Sequence, residues 1–337
     1  MAHRKKNAPR RGSLAYRPRG RTTTVVPVVR NWSKISSEKP IILGSAGFKV
    51  GSTHVMSVDN RAKTPNFGKP LFSSATIVAT PPILILGFRA YKSIKGGRHG
   101  SIAEAMGEIY MENPPKEYSR KVNSMPKFNE NSMRKIEESL GEIDRFTILS
   151  YISPRTANLS QKKPYVFEIG MSGGEIKEQL EKLKSILGKE VKISEIFEQS
   201  PYVDVLSISK GKGFQGVIKR MGVKRKSHKS NKTVREVASI GPWNPHNVVY
   251  TVPRAGQKGV KQTTEYNKRI LSMADTKDID ITPKGGFGRY GEVKGDYMIL
   301  KGSVPGPSRG LVRFRMPIRP PKVSVQPVKI LEIATVR

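Results

Sequence analysis

The sequence contains no cysteine among its 337 residues. This absence excludes a disulfide framework and any metal site built on thiolates. Long apolar runs are also missing: the longest, at 82–88, covers seven residues, whereas a membrane-crossing helix needs about 18. The N-terminus is basic but lacks the apolar core of a secretory signal. These absences are consistent with a reducing compartment, and the predicted location is the cytoplasm.

Acidic residues are scarce. The chain has 27 of them against 61 lysines and arginines, which leaves a formal net charge of +34 and a pI near 10.3. Self-repulsion of this size destabilises a compact protein unless a partner supplies negative charge. An anionic membrane surface would favour a basic amphipathic helix, and the basic stretches here contain too much glycine and proline to form one. The composition therefore favours nucleic acid as the partner.

The first 34 residues form one basic stretch without a single acid. Prolines and glycines interrupt it throughout, which predicts an extended arm that becomes ordered on its partner. The alternative is a solvated tail without function. The candidate nucleic-acid-binding residues of this arm are Arg4, Lys5, Lys6, Arg10, Arg11, Arg17, Arg19 and Arg21.

A second basic stretch spans residues 210–271 and contains only two acids, Glu236 and Glu265. It sustains no helical or strand period, so it cannot bury enough apolar surface to offset the entropy of ordering. We therefore expect a polyanion to order it. Its candidate binding residues are Lys210, Lys212, Lys219, Arg220, Lys224, Arg225, Lys226, His228, Lys229, Lys232, Arg235, Trp243, His246, Arg254, Lys258, Lys261, Lys268 and Arg269.

The remaining sequence predicts a folded body of short strands. The ranges 41–43, 48–58, 74–80 and 83–91 are typical of short strands broken at glycine. Strand patterns also occur at 202–209, at 285–300 with glycine turns, and at 311–317 and 323–336. Between them, residues 127–200 carry balanced charge and predict helices at 132–140 and 173–187, with strands at 147–153 and 165–170. The pattern indicates an α+β, mainly β protein: an antiparallel barrel interrupted by a neutral helical lobe and by the basic loop.

The predicted boundaries follow from these changes of composition. They are 1–34 for the arm, 35–95 for the first part of the barrel, 96–198 for the lobe, 199–209 for a barrel strand, 210–271 for the basic loop, and 272–337 for the rest of the barrel.

Motifs for chemistry are weak. Residues 211–216 match the G-x-G-x-x-G pattern of dinucleotide-binding loops, and so do residues 286–291. That site needs a helix opening at the third glycine, and neither match predicts one. The five histidines show no metal-ligand spacing, and no paired carboxylates or nucleophile–base arrangement stands out. We therefore predict no catalytic residue, no cofactor and no metal.

Trp243 stands apart in the basic loop, between Pro242 and the Asn244–Pro245 pair. One interpretation is a small satellite core around the indole. The other is stacking on an unpaired base, which an aromatic ring in a polycationic loop favours.

Several segments closely resemble the family of the third large-subunit ribosomal protein, the L-three family. They are GKGFQG at 211–216, GPWNPH at 241–246, VPRAGQKG at 252–259, TEYNKRI at 264–270, APRRGSL at 8–14, GFKVGSTH at 47–54 and KGSVPGP at 301–307. The resemblance spans nearly the whole chain in order. The lobe and the arm are similar to the archaeal and eukaryotic branch rather than to the shorter bacterial form.

The resemblance implies an elongation-factor-type β-barrel with extensions that enter the large-subunit ribosomal RNA. It implies that the loop is a finger whose tip tryptophan, matching Trp243, approaches the peptidyl transferase centre, and that the protein supports subunit assembly. Expected neighbours are the fourteenth large-subunit protein and the archaeal relative of the twenty-fourth. Some eukaryotic members carry a modified histidine where this chain has Asn231, so that modification is not expected.

Two other classes remain as alternatives to a structural ribosomal protein. A DNA-compacting or architectural protein would share the charge. An RNA-modifying enzyme would need a cofactor pocket, for which the glycine motif is the only indication.

Overall fold

A computed structural model describes residues 9–61, 64–95, 101–198, 201–321 and 328–334. The chain divides into two compact units. The smaller unit combines Met1–Val25 with Ile208–Gln262, and the larger combines Val26–Ser207 with Thr263–Arg337. Arg4, Lys5 and Lys6, which the sequence analysis named as binding residues, lie outside the described residues.

Strands dominate the described chain, which confirms an α+β, mainly β protein. In order they are β1 (Ile41–Ile42), β2 (Gly44–Val58), β3 (Pro70–Ala79), β4 (Ile83–Lys95), β5 (Ser101–Tyr110), β6 (Arg145–Ile152), β7 (Tyr165–Ser172), β8 (Glu190–Val191), β9 (Tyr202–Ile208), β10 (Phe214–Gln215), β11 (Gly256–Gln257), β12 (Gln262–Asp275), β13 (Asp296–Lys301), β14 (Leu311–Arg315) and β15 (Ile330–Ile333). The α-helices are α1 (Glu130–Glu138), α2 (Ile176–Ile186), α3 (Ile193–Phe197) and α4 (Val217–Met221).

The larger unit contains two antiparallel sheets. Seven strands follow the order β14-β9-β12-β13-β3-β2-β15, and β14 also pairs with β2. Through that extra pairing, six of the seven strands form a closed circuit of neighbours. Among the large side chains buried in this unit are Phe48 on β2, Ile77 on β3, Tyr297 on β13 and Phe314 on β14.

The second sheet has the order β1-β7-β6-β4-β5, with β8 paired to β4. β4 therefore lies in the sheet of the lobe rather than beside β2 and β3. Helix α2 confirms the predicted helix at 173–187: Leu180 and Leu183 of its apolar stripe are buried, and Gly188 follows it with φ of 74°. The predicted helix at 132–140 corresponds to α1, which begins two residues earlier.

Glycines do not break the first long strand, contrary to the prediction. β2 runs unbroken from Gly44 to Val58 and includes Gly47 and Gly51. A Cβ atom on Gly44 would lie 2.6 Å from the Phe314 carbonyl oxygen, and one on Gly47 would lie 2.5 Å from that of Ala79. Glycine at both positions permits the neighbouring backbones to approach closely.

The end of the predicted basic loop is also a strand. The sequence showed no sustained strand period up to residue 271, yet β12 begins at Gln262 and pairs with β13 in the seven-stranded sheet. β5 was not predicted either, and residues 285–295 form turns before β13. These strands depend on pairing with distant parts of the chain, which local patterns do not encode.

Residues 26–34, the end of the predicted arm, belong to the larger unit. Arg313 donates from Nη1 to the Pro27 carbonyl at 2.8 Å and from Nη2 to the Glu168 carbonyl. Its guanidinium carbon lies 4.6 Å from the Phe167 ring centroid, a cation–π contact. Burial lowers the pKa of Arg313. Arg315 donates to the Asn31 carbonyl at 2.7 Å, so only the earlier part of the arm is outside this unit.

Candidate nucleic-acid interface

The smaller unit concentrates the positive charge of the chain. It holds 21 of the 61 lysines and arginines but one of the 27 acids, Glu236. Two stretches nearly 200 residues apart in sequence thus form one cationic body. Without counter-charge, the like charges of this unit repel one another. The unit therefore needs a polyanionic partner.

Direct contacts join the arm to the basic loop. The Thr22 amide donates to the Val260 carbonyl at 2.9 Å, and an Arg10 guanidinium nitrogen donates to the Thr251 carbonyl. The Arg17 guanidinium carbon lies 5.8 Å from the ring centroid of Tyr250. Residues 9–25 of the arm are therefore part of the same folded unit as the loop rather than a separate tail.

Arg220 closes the base of the loop. Its guanidinium donates to the carbonyls of Arg254 at 2.9 Å, Ala255 at 3.3 Å and Gln257 at 3.1 Å. Burial lowers the pKa of Arg220, and the neighbouring Arg19 and Arg17 lower it further. The described structure thus gives Arg220 an internal role, holding the two ends of the loop together.

The short helix α4 corrects one expectation from the sequence. A helix does begin at Val217, immediately after the glycine-rich 211–216 segment, although none was predicted. It has five residues, with Val217 and Met221 buried, and ends at Gly222 in the left-handed conformation. A Cβ atom on Gly12 would lie 2.8 Å from the Met221 sulfur, so α4 supplies an apolar surface on which the arm packs.

The tip of the loop is exposed along its whole length, from residue 238 to residue 250. Trp243 is 84% exposed, and its ring stands edge-on to that of His246 with centroids 5.3 Å apart. A shallow cavity of about 200 Å³ lies beside the two rings. This exposure is incompatible with the satellite-core interpretation, because the indole is packed into no core of the described chain.

The structure brings most of the candidate residues together and separates a few. Those in the smaller unit and described are Arg10, Arg11, Arg17, Arg19, Arg21, Lys210, Lys212, Lys219, Arg220, Lys224, Arg225, Lys226, His228, Lys229, Lys232, Arg235, Trp243, His246, Arg254, Lys258 and Lys261.

Lys268 and Arg269 lie instead on β12 in the larger unit. Lys268 pairs with Glu265 at 2.5 Å, and Arg269 donates to the Asn60 side-chain oxygen at 2.6 Å. Burial lowers the pKa of Arg269. Both cations have internal partners, so their role in binding stays a prediction.

Three exposed aromatic residues of the smaller unit were not named from the sequence. Phe214 is 77% exposed, and Tyr16 and Tyr250 are each 73% exposed. An aromatic ring among lysines and arginines is a usual platform for an unpaired base. That interleaving was visible in the sequence and would have identified all three residues.

Features of other protein classes are missing from the described part of the chain. No three histidine, aspartate or glutamate side chains there lie together as a metal site. No helix in those residues is long and apolar enough to cross a membrane.

The chain matches the sequence model of the family "Ribosomal protein L3" over residues 1–332. It belongs to the ribosomal protein L3 family. The match confirms the resemblance drawn from the sequence motifs.

Similar proteins include archaeal ones named "Large ribosomal subunit protein uL3". The chain is 38% identical to the one from Methanobrevibacter smithii, covering 97% of this chain and 96% of the relative. It is 40% identical to that of Methanococcus vannielii, with 94% and 93% covered, and 41% identical to that of Caldivirga maquilingensis, with 93% and 91% covered.

Membership decides two further questions. Ribosomal proteins of the L3 family are structural components rather than enzymes, which confirms the prediction that this protein is not an enzyme. It also confirms the ribosome as the place where the protein acts.

Proposed function

We propose that this protein is a structural constituent of the large ribosomal subunit and binds the large-subunit ribosomal RNA through its smaller unit. The observation that carries the proposal is the joining of two separate basic stretches into one body with a single acid. Phosphate neutralisation supplies most of the affinity, and the fit to folded RNA supplies the specificity.

The basic residues divide into two kinds in this proposal. Arg220 holds the loop closed through three carbonyls, whereas exposed cations such as Lys224, Arg225 and Lys229 neutralise phosphates. Glycines with positive φ, such as Gly213 and Gly259, permit the sharp turns by which backbone approaches RNA closely.

The finer architecture is also a proposal. The closed circuit of strand pairings supports an elongation-factor-type barrel drawn from the predicted parts 35–95, 199–209 and 272–337, with two changes of boundary. β4, at the end of 35–95, belongs to the sheet of the lobe predicted at 96–198, and β12 belongs to the barrel although it begins inside the finger predicted at 210–271. The arm predicted at 1–34 completes this architecture. The exposed tip supports an approach of Trp243 to the peptidyl transferase centre. We propose the fourteenth large-subunit protein and the archaeal relative of the twenty-fourth as neighbours, together with a role in subunit assembly.

A competition experiment tests RNA binding against the DNA-compacting alternative. The full chain is bound to a labelled transcript of a large-subunit ribosomal RNA domain and challenged with duplex DNA. We expect displacement to need at least about tenfold more duplex DNA than unlabelled transcript, because the fit is to folded RNA. Equal displacement by the two competitors would contradict the proposal and favour an architectural DNA-binding protein.

Trp243→Ala is expected to leave the free energy of unfolding within about 0.5 kcal/mol of the parent, because the indole is exposed. It should weaken binding to the RNA transcript by about 1–3 kcal/mol if one base stacks on it. Denaturant unfolding and a binding titration measure the two effects.

Trp32, the second tryptophan of the chain, provides the control. It is partly buried, and a Cβ atom on Gly170 would lie 2.6 Å from its indole. Trp32→Ala should therefore lower the free energy of unfolding by about 2 kcal/mol or more. A stability loss of that size in Trp243→Ala would contradict the exposed-tip interpretation.

A further inference from the structure

A groove in the larger unit is not used by the proposed RNA-binding function. It encloses about 630 Å³ and lies between residues 37–42, α2 and α3. Its apolar floor is formed by Ile42, Ile186, Val191, Ile196 and Met316, which are buried or half-buried. An open groove of this size with an apolar floor is typical of a binding site.

Three carboxylates stand on the rim of this groove. Glu38, Glu195 and Glu198 line it and are exposed, and none has a cation within 4 Å among the described residues. Some other carboxylates of the lobe do have partners: Glu117 pairs with Arg155 at 3.0 Å and Glu137 with Lys184 at 2.5 Å. The rim carboxylates are therefore available to an external cation.

The cations that line the groove are Lys39 and Lys182. Lys182 has an internal role, because its Nζ donates to the Pro40 carbonyl at 2.5 Å. Burial lowers the pKa of Lys182. That bond holds the segment before β1 against α2. Among the described residues that line the groove, Lys39 is then the one lysine left to balance the three carboxylates.

A strand edge borders the same groove. β1 is the last strand at one end of its sheet and pairs with β7. Within the described chain no strand pairs with its other edge, and both of its residues line the groove. An open strand edge offers backbone donors and acceptors to an extended segment of another chain.

We propose that this groove binds an extended, basic segment of a neighbouring protein in the large subunit. The segment runs beside β1, places aliphatic side chains on the apolar floor and sets lysine or arginine beside Glu38, Glu195 and Glu198. RNA fits poorly, because its phosphates would meet three carboxylates. The surrounding region, 101–198, carries 16 acids and 15 lysines and arginines. Because these charges nearly cancel, this region does not repel a basic partner, whereas the basic remainder of the chain does.

The absence of cysteine makes a sharp test possible. Ser37→Cys places one thiol in the groove, and Ser160→Cys places one on an exposed site of the lobe outside it. Each purified variant is labelled with a maleimide–benzophenone and incorporated into large subunits. The subunits are then irradiated, and the cross-linked peptide is identified by mass spectrometry.

This inference rests on the proposed place in the large subunit, and the experiment separates the two. Failure of both variants to enter subunits would contradict the proposed function. If they enter, we expect Ser37→Cys to cross-link to a lysine- or arginine-rich segment of another ribosomal protein, and Ser160→Cys not to reach it. A cross-link to RNA, to a second copy of this chain or to an acidic segment would overturn the inference, and so would no cross-link from Ser37→Cys.

Charge reversal adds a second readout in the same subunits. Glu195→Lys with Glu198→Lys, in the Ser37→Cys background, should lower the cross-link yield by at least about fivefold, because rim charges govern association with a charged partner. Glu138→Lys with Glu181→Lys, both exposed and outside the groove, is the matched control and should leave the yield unchanged. Equal yields from the two double variants would overturn the role of the rim carboxylates.

Discussion

Replacing Asp204 with alanine is expected to lower the free energy of unfolding by about 3–5 kcal/mol, the usual cost of leaving a buried ion without its partner. Asp204 on β9 is completely buried. One carboxylate oxygen accepts from Arg315 Nε at 3.2 Å and Nη2 at 3.1 Å, and from the Ile318 amide at 3.3 Å. The other accepts from the Asn267 amide at 2.9 Å.

The loss is large because one carboxylate serves several elements. Asp204 joins β9 to β14 through Arg315, to β12 through Asn267 and to the segment after β14 through Ile318. Alanine would leave the Arg315 guanidinium buried, with its side chain 5% exposed, and would leave two amides without their acceptor. Buried groups of this kind cost free energy even when the surrounding packing is preserved.

Urea unfolding of the free protein, followed by circular dichroism, measures this effect. Asp278→Ala is the matched control, because Asp278 is exposed in a turn, and it should change the free energy of unfolding by at most about 0.5 kcal/mol. Adding Arg315→Met to Asp204→Ala should recover part of the loss by removing the uncompensated charge. A loss no larger than that of the control would show that this ion pair does not hold the sheet together.

The affinity of the protein for its RNA is expected to fall steeply with salt. If the smaller unit neutralises about 6–10 phosphates, binding should weaken by about 10³–10⁵-fold between roughly 50 and 200 mM salt, because counterions are released on binding. Replacing Lys224, Arg225, Lys229 and Lys232 together with alanine should reduce the slope of log K against log[salt] by about 3–4. All four side chains are exposed in the basic loop.

A quadruple variant of the lobe is the control for this measurement. Lys162, Lys163, Lys177 and Lys189 are equally exposed but lie where acids balance the bases. Their replacement with alanine removes the same charge and should leave the slope unchanged, because only cations near phosphates release counterions. Equal slopes for both quadruple variants would mean that overall charge, and not the basic loop, governs binding.

Local sequence patterns were sufficient to predict the elements in which apolar residues recur on one buried face. The stripe of α2 appears in the structure with Leu180 and Leu183 buried, and the predicted strand at 202–209 corresponds to β9. The pattern failed where distant pairing decides the conformation. The sequence of β12 predicted a continuation of the basic loop, whereas this segment pairs with β13. The glycines that predicted breaks in β2 lie where neighbouring backbones approach closely.

The candidate interface shows the same division. Composition identified the cationic residues of the arm and the loop, because charge is a property of each residue and does not depend on the fold. It could not show that Arg220 is committed to the Arg254 carbonyl while Lys224 is exposed, nor that Lys268 pairs with Glu265.

The sequence by itself determined that the chain needs a polyanion, that it carries a mainly β body, and, through its motifs, that it belongs to the ribosomal protein L3 family. Only the tertiary structure decided that residues 9–25 of the arm and most of the loop form one unit, that Trp243 is exposed, and that an acidic groove borders β1. The reason is physical. Net charge and local periodicity can be read from neighbouring residues in the sequence, whereas the burial of a side chain and its hydrogen-bond and ion-pair partners depend on segments far apart in the chain.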